Sequence, residues 1–434
     1  MTFLRDGFRN LVANLGTPRD KAAAGHFVAP AYAPQTWVAT YRASALARKI
    51  VDIPADDATR EWRAWQAEAE QISTIEAEEG RLGLRGKVRD ALRASRLLGG
   101  AALLIGADTD DPAEPLRLDR IGRGGLSYVG LIPREHLSPA PAVRDPASPW
   151  LGRPEWWSLR GDTSMRLHPS RLVLLRGAAL PGWSDGYATD GAWGDSVLAG
   201  CSDSLRNYIA AANASALVHE AKVDVLRIEG LARQLAAGGA AEEALRARLA
   251  LMGTLKGTNG LMALDKEDDY SSKSASFGGL PDLMSRFALN LSADADIPMT
   301  RLFGQSPAGL TASGESDTRN YYDKVRAHQA MDLGPALATL DEALIRSALG
   351  SRPPEVHYNW RTLWQPEAKD VAENGRAIAE TFAKLREMDV GLPEEALAGG
   401  VVNALTEAGC APGLEALVAE FYEEGGNADD DAVL

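Results

Sequence analysis

The sequence predicts an α+β fold, and three observations carry that reading. Between residues 43 and 98, apolar side chains recur at helical spacing. From residue 101 to 175, short apolar runs bounded by Gly, Pro and Asp take their place, as in strands. After residue 196 the order becomes helix, small α/β insert, helix, Gly/Ser/Thr-rich loop and long helix.

Residues 1–36 read as an arm holding one short helix, with Gly, Ala and Pro gathered between Ala22 and Pro34. A first helix is expected over residues 43–51, ending before Pro54 because the residue ahead of a proline avoids the helical region. A second is expected over 61–79, with Trp62, Trp65, Ala69 and Ile72 on one face. A third follows Gly80, striped by Leu84, Val88 and Leu92 and stopped by Gly99-Gly100. Strands are then expected at 101–105, 126–132, 155–160 and 172–175, in text rich in Pro, Gly and Arg.

Residues 196–221 read as a long helix with Leu205, Tyr208, Ile209, Ala212 and Ala216 on one face. The insert carries strands at 222–229, 260–264 and 270–277 and a helix at 242–252. A helix at 280–291 leads into Ile297-Pro298-Met299 and Leu302-Phe303-Gly304, then the loop. A long helical element is expected over 316–349, with Ser316 as its cap and Pro335 as a break. A short strand at 357–360, helices from 366, over 393–406 and over 412–422, and an acidic tail complete the chain.

The chain has 434 residues, 45% hydrophobic, with a net charge of -14, enough for roughly two to four domains or one elaborate protomer. No apolar run is long enough to span a bilayer, and the first residues lack the apolar stretch of a signal peptide. Cys201 and Cys410 form no metal or redox spacing and suit a reducing compartment. The acidic balance argues against sequence-specific reading of nucleic acid; it reads as a solubility device, and a like-charged wall that lets DNA slide is not argued against.

Motifs for phosphate loops, zinc proteases and nucleophile elbows are absent, and no cofactor is expected. His136-Leu137-Ser138 and His168-Pro169-Ser170 are paired His-x-Ser motifs, the pattern of a two-histidine phosphoesterase; the alternative is hydrogen bonding at strand ends. The acidic run Asp265, Glu267, Asp268 and Asp269 lacks the spacing of a calcium loop and reads as a solvated docking surface. Trp150, Trp156, Trp157, Trp183 and Trp193 read as core and interface packing, with base stacking as the other reading.

Four stretches carry a family resemblance: residues 46–57 ahead of Arg60 and Trp62; Leu167-His168-Pro169-Ser170-Arg171-Leu172-Val173; Gly194-Asp195-Ser196-Val197-Leu198; and the loop region 295–325 with Asn320-Tyr321-Tyr322. In this order they resemble the tailed-bacteriophage portal proteins. That resemblance implies a wing over 37–195, a first stem helix over 196–221, a clip over 222–278 and a second stem helix over 279–293. It further implies a tunnel loop, long helix and return to the wing over 294–365, a helical crown over 366–422 and an acidic tail over 423–434.

The resemblance also implies a ring, usually of about twelve subunits, at one vertex of a virion capsid. DNA passes through its axis without sequence specificity, and large terminase, head-tail adaptor, scaffold and major capsid proteins are its partners, with no membrane involved. Assembly would take place in the host cytoplasm. Candidate channel residues are Arg301, Gln305, Ser306, Gly309, Thr311, Ser313, Gly314 and Arg319. Candidate clip-docking residues are Lys256, Asp265, Lys266, Glu267, Asp268 and Asp269. The loop from Gln305 to Glu315 has no Lys or Arg, which departs from a basic loop tip that grips DNA. A capsid-vertex adaptor ring without DNA contact is the remaining alternative.

Overall fold

The computed structural model describes residues 32–107, 111–148, 151–178, 193–219, 222–227, 239–240, 242–247, 269–274, 279–304, 314–364, 368–388, 393–408, 410–411 and 418. The chain forms two compact units, Met1–Asn359 and Trp360–Leu434. Helices and small sheets share the first unit, as an α+β fold requires.

Helix α1 (Pro34–Ala43) is followed at once by α2 (Ala45–Arg60), whose cap Ser44 accepts a hydrogen bond from the Ala47 N–H. The helix expected to stop before Pro54 runs straight through it. A proline inside a helix removes one donor and crowds the carbonyl four residues back. Here the Arg96 side chain replaces the missing donor: its Nη2 donates to the Ile50 carbonyl at 2.8 Å and its Nε to the Val51 carbonyl at 3.0 Å. Burial in turn pushes the Arg96 pKa down. Replacing Arg96 with Met leaves both carbonyls without this donor, and we expect a loss of roughly 2–4 kcal/mol in denaturant unfolding.

Residues 61–79 are not one helix. Strand β1 (Arg63–Gln66) comes first, and helix α3 (Ala69–Leu82) starts after it. The Trp62/Trp65 spacing fits a helix, yet in β1 Arg63 and Trp65 are buried while Ala64 and Gln66 are half-buried, the period of a strand. Its partner, β10 (His357–Trp360), lies far along the chain, where local periodicity gives no sign of it.

Glu78 on α3 is held below the usual carboxylate range by Arg81, against the opposing effect of burial, with help from Ser347. A depressed carboxylate stabilises above its unfolded pKa and loses that contribution as pH falls through its folded pKa. Glu78→Gln is therefore expected to destabilise at neutral pH and to flatten the acid limb of the stability-pH curve.

Helix α4 (Leu84–Leu98) buries Leu84, Val88 and Leu92 as expected, together with Ala91, Ser95 and Leu98. It packs on an antiparallel sheet in the order β3 (Leu126–Pro133), β2 (Gly100–Ala107), β7 (Leu172–Arg176). A second sheet has the order β4 (Leu137–Pro139), β5 (Trp157–Leu159), β6 (Asp162–Leu167). Strand β6 was not expected, because its mixed polar text marks an exposed edge rather than an apolar run. The two sheets share a core of Ala102, Leu137, Trp157, Leu167, Leu172 and Trp193.

Trp157 and Trp193 meet at 5.0 Å, so these two tryptophans are core residues. Trp150 and Trp183 lie outside the described residues. A Cβ on Gly100 would stand 2.1 Å from the Trp193 ring, so only glycine fits there.

Helices α5 (Val197–His219) and α6 (Leu280–Ala295) pack along one another. Between them in sequence, β8 (Lys222–Arg227) pairs antiparallel with β9 (Asp269–Ser274), and residues 242–247 are helical. The strand expected at 260–264 lies outside the described residues.

After one short turn, α7 (Met299–Leu302), helix α8 (Glu315–His328) begins one residue earlier than expected. Its cap is Gly314 rather than Ser316, and no side chain caps it. The long element is interrupted, as Pro335 suggested, but through a π-helical segment, Gln329–Leu333, ahead of α9 (Gly334–Leu349). The wider π turn absorbs an extra residue and sets Pro335 in the first turn of α9, where no backbone donor is needed.

The second unit holds α10 (Ala368–Glu387) and α11 (Glu394–Glu407), which pack on each other. The N-terminal arm through residue 31, nearly all of the helix expected over 412–422, and the acidic tail lie outside the described residues.

Candidate functional site

The segment from Ala295 to Val325 is built on two anchored feet. At the first, α6 ends at Asp296, which takes a left-handed φ of 56°. The Ser292 hydroxyl then donates to the Ile297 carbonyl at 2.5 Å. The single turn α7 follows, with Leu302 fully buried. Lys49 of α2 donates to the Leu302 carbonyl at 2.8 Å, and the Phe303 ring lies 5.4 Å from Tyr208 on α5. These contacts fix the chain just before residue 305.

The second foot is the start of α8. A hydrogen bond of 3.3 Å joins the Thr300 and Thr318 hydroxyls across the two feet. Gly314 takes a φ of +60°, and a Cβ there would stand 2.6 Å from the Thr300 methyl group. Left-handed backbone and lack of room both select glycine. Gly314→Ala is expected to cost about 1–2 kcal/mol of local stability. Adding Thr300→Ser removes the methyl clash and returns part of that loss, leaving the backbone strain; hydrogen exchange of the 315–321 amides reads both.

Asp57, on α2 and 1% exposed, ties the feet together. Arg301 Nη2 donates to its two oxygens at 2.5 and 2.8 Å, and the Tyr321 hydroxyl donates to Oδ2 at 3.1 Å. Arg60 approaches the same carboxylate at 3.7 Å. Burial opposes the charge of Arg301, yet Asp57 outweighs it and raises the guanidinium's pKa. Burial first, and Asp57 second, push the Tyr321 phenol well above its ordinary value. The segment 305–313 thus leaves and returns at one clamped point.

Of the channel candidates, Arg301 is turned inward to Asp57, an internal ion pair rather than a free cation. Arg319 is exposed, with Glu315 at 3.6 Å on the same helix face. Gly314 is the foot itself, and Gln305, Ser306, Gly309, Thr311 and Ser313 lie outside the described residues. Of the clip candidates, Asp269 opens β9 opposite Arg227; Lys256, Asp265, Lys266, Glu267 and Asp268 lie outside the described residues. Asp57 was missed as the anchor. Its signal was a carboxylate at a position of α2 flanked by Val51, Ala55 and Ala58, all buried.

A second charged cluster lies near β1. The Arg63 guanidinium, with no side-chain exposure, pairs with Glu79 and Asp341. It also stacks 4.8, 4.9 and 4.6 Å from the Trp62, Trp65 and Tyr358 rings. Burial pushes Asp341 up against the pull of Arg63, and pushes the Tyr358 phenol up to about 12. Every partner here is internal, which marks a structural knot.

The two His-x-Ser motifs do not converge. Leu137 pairs with Leu159 at one end of the small sheet, while Pro139 and Leu167 both pair with Trp157 at the other. His136 and His168 therefore flank opposite ends of two strands that β5 separates. The Ser170 hydroxyl contacts His168 Nδ1 at 2.8 Å and accepts the Leu116 N–H, a strand-end role. No cluster of His, Cys, Asp and Glu suited to a metal occurs among the described residues.

Comparison with known proteins adds the lineage. A protein described as "Anti-CBASS protein Acb1" from Caulobacter sp. (strain RHG1) is 38% identical over 432 residues, 96% of this chain and 68% of its own length. One of the same description from Sphingomonas paeninsulae is 35% identical over 421 residues, 94% of this chain and 66% of its own length. The chain thus spans about two thirds of these two relatives. A Haemophilus influenzae protein is 30% identical over 357 residues, 81% of this chain and 79% of its own.

Among solved structures, "Neck of native GTA particle computed with C12 symmetry" overlaps at a TM-score of 0.47 and 16% identity, covering 88% of this chain and 96% of that one. The phage portal protein profile matches residues 35–384, from α1 through most of α10 and across the whole clamped segment, and the chain belongs to the phage portal protein family.

Proposed function

We propose that the chain is the protomer of a portal ring of about twelve copies, set at one capsid vertex, through which double-stranded DNA passes during packaging and ejection. The observation that supports this most is a family match spanning the paired helices α5 and α6 and the clamped segment after them. In this reading α5 and α6 are the stem, the insert with β8 and β9 is the clip, and residues 305–313 are the tunnel loop. Residues 366–422, which include α10 and α11, supply the crown.

A ring of small-residue loops narrows a channel without sequence-specific contacts, and the Asp57 clamp fixes where each loop begins and ends. The acidic run 265–269 offers the clip a charged surface for terminase and then adaptor. Scaffold and major capsid proteins complete the set of partners. The protomer's work is mechanical, and the nucleotide-driven motor is a separate protein.

Light scattering and negative-stain imaging of the purified protein test this. A closed ring with a central hole is expected. A monomer that stays monomeric with scaffold protein overturns it. Cross-linking of packaged DNA to residues 305–320 in filled particles separates a conduit from an adaptor ring that never touches DNA.

The relatives described as anti-CBASS proteins motivate a second test. About a third of their length lies outside the match, and the paired histidines here stand apart. We expect this chain, expressed alone, to give no anti-CBASS protection and no oligonucleotide cleavage. Protection or cleavage lost in His136→Ala or His168→Ala would instead place such an activity in the portal region.

A further inference from the structure

A groove of about 440 Å³ opens between α2, α4, α8 and the π segment, a volume in the range of pockets that bury a small ligand. Its walls include Ala55, Ala58, Leu92, Val197, Val325 and Met331. Met331, on the π segment, is 76% exposed and forms part of the rim. A flexible methionine there adapts to the shape of what enters.

Cations share this apolar space. Arg96 reaches it from α4, Lys324 from α8 and Arg176 from the end of β7. The carboxylates on the lining are Asp296 and Asp332, so three cations face two acids in a chain whose net charge is -14. Both acids have partners of their own: Asp296 pairs with Lys324, and Asp332 lies 2.8 Å from His328. Arg96 gives its Nε and Nη2 to the Val51 and Ile50 carbonyls. Among the described residues its Nη1 donates to no acceptor, and no carboxylate pairs with it. Burial, and then the charge of Arg96, hold the Lys324 pKa down. The two cations thus repel one another, and Asp296 offsets only Lys324.

A neutral apolar guest would leave the guanidinium facing hydrocarbon. A bare inorganic anion would give up its water without covering the apolar walls. A carboxylate carried on an apolar body meets both demands, since a charge-assisted hydrogen bond to Arg96 replaces the lost water.

We propose that the groove binds a small organic acid in its ionised form, the carboxylate on Arg96 and the apolar body against Ala58, Leu92, Val325 and Met331. Tyr321 also lines the groove and holds Asp57 through its hydroxyl. A bound acid therefore braces α8 and the foot of the clamped segment.

Sodium octanoate, titrated calorimetrically into the full chain, tests this, with 1-octanol and inorganic phosphate as comparison ligands. We expect saturable binding of one octanoate per chain, about tenfold tighter than either comparison ligand, and slowed hydrogen exchange of the 321–333 amides. Absence of saturable binding overturns the proposal. Binding of 1-octanol within twofold of octanoate also overturns it, since the charge then plays no part. Arg96→Met is expected to abolish binding, but it also removes a support of α2, so the exposed Met331 supplies a variant pair that leaves the core intact. Met331→Glu is expected to weaken octanoate about fivefold and Met331→Lys to tighten it by a similar factor. Equal affinities in these two variants, or unchanged exchange of the 321–333 amides with octanoate bound, overturn the proposal.

Discussion

Arg63→Met is expected to lower stability by about 3–5 kcal/mol, because it leaves the Glu79 and Asp341 carboxylates without the cation they share. Both carboxylates are largely buried, so water does not take over the lost role. Three aromatic rings also lose the guanidinium they stack on. Urea unfolding followed by tryptophan fluorescence reads the change directly, since Trp62 and Trp65 border the site. The midpoint is expected to fall by about 1–3 M.

The triple change Arg63→Met, Glu79→Gln, Asp341→Leu removes every charge of the cluster and keeps an acceptor for the Trp62 indole N–H. It is expected to recover most of the loss, because buried ion pairs contribute little against an apolar replacement. If the single and triple variants are equally unstable, packing rather than uncompensated charge governs this site.

The second large effect is expected at Asp57. Asp57→Ala removes the acceptor of both Arg301 and the buried Tyr321 hydroxyl. Arg301 is about a third exposed and reaches water on release; Tyr321 is buried and does not. The unpaired phenol and the freed foot together are expected to cost roughly 2–4 kcal/mol. The loss falls on local opening of α7, so limited trypsin cleavage after Arg301 is expected to rise about thirtyfold or more. Asp317→Ala, an exposed carboxylate in the first turn of α8, serves as the control and is expected to leave that cleavage rate within twofold. Equal cleavage in the two variants would show that the foot is held by Lys49 and the Thr300–Thr318 contact instead.

Much of this protein was legible in its sequence. The apolar stripe of α4, the runs of β2, β3 and β7, and the helices that became α5 and α6 each declare themselves through spacing within one segment. The four motifs in their order sufficed to indicate the portal family, which the profile match then showed. These features survive because helical and strand periods are local properties, set by which face of one element is buried.

What only the tertiary structure decided depends on partners far apart in the chain. Trp65 lies in strand β1, with Trp62 just ahead of it, because β10 pairs with that strand, although the Trp62/Trp65 spacing alone fits a helix. Pro54 sits inside α2 because Arg96 donates to the carbonyls that the proline disturbs. Arg301 is paired with Asp57, which the Tyr321 hydroxyl also reaches, because α2 brings that buried carboxylate against α7 and α8. Propensity fixes what a segment prefers by itself, typically by a few tenths to one kcal/mol per residue, while a buried hydrogen bond to a charged group contributes about 1.5–3 kcal/mol. Where the two disagree, the long-range contact prevails, and its energy appears only once the chain has brought the partners together.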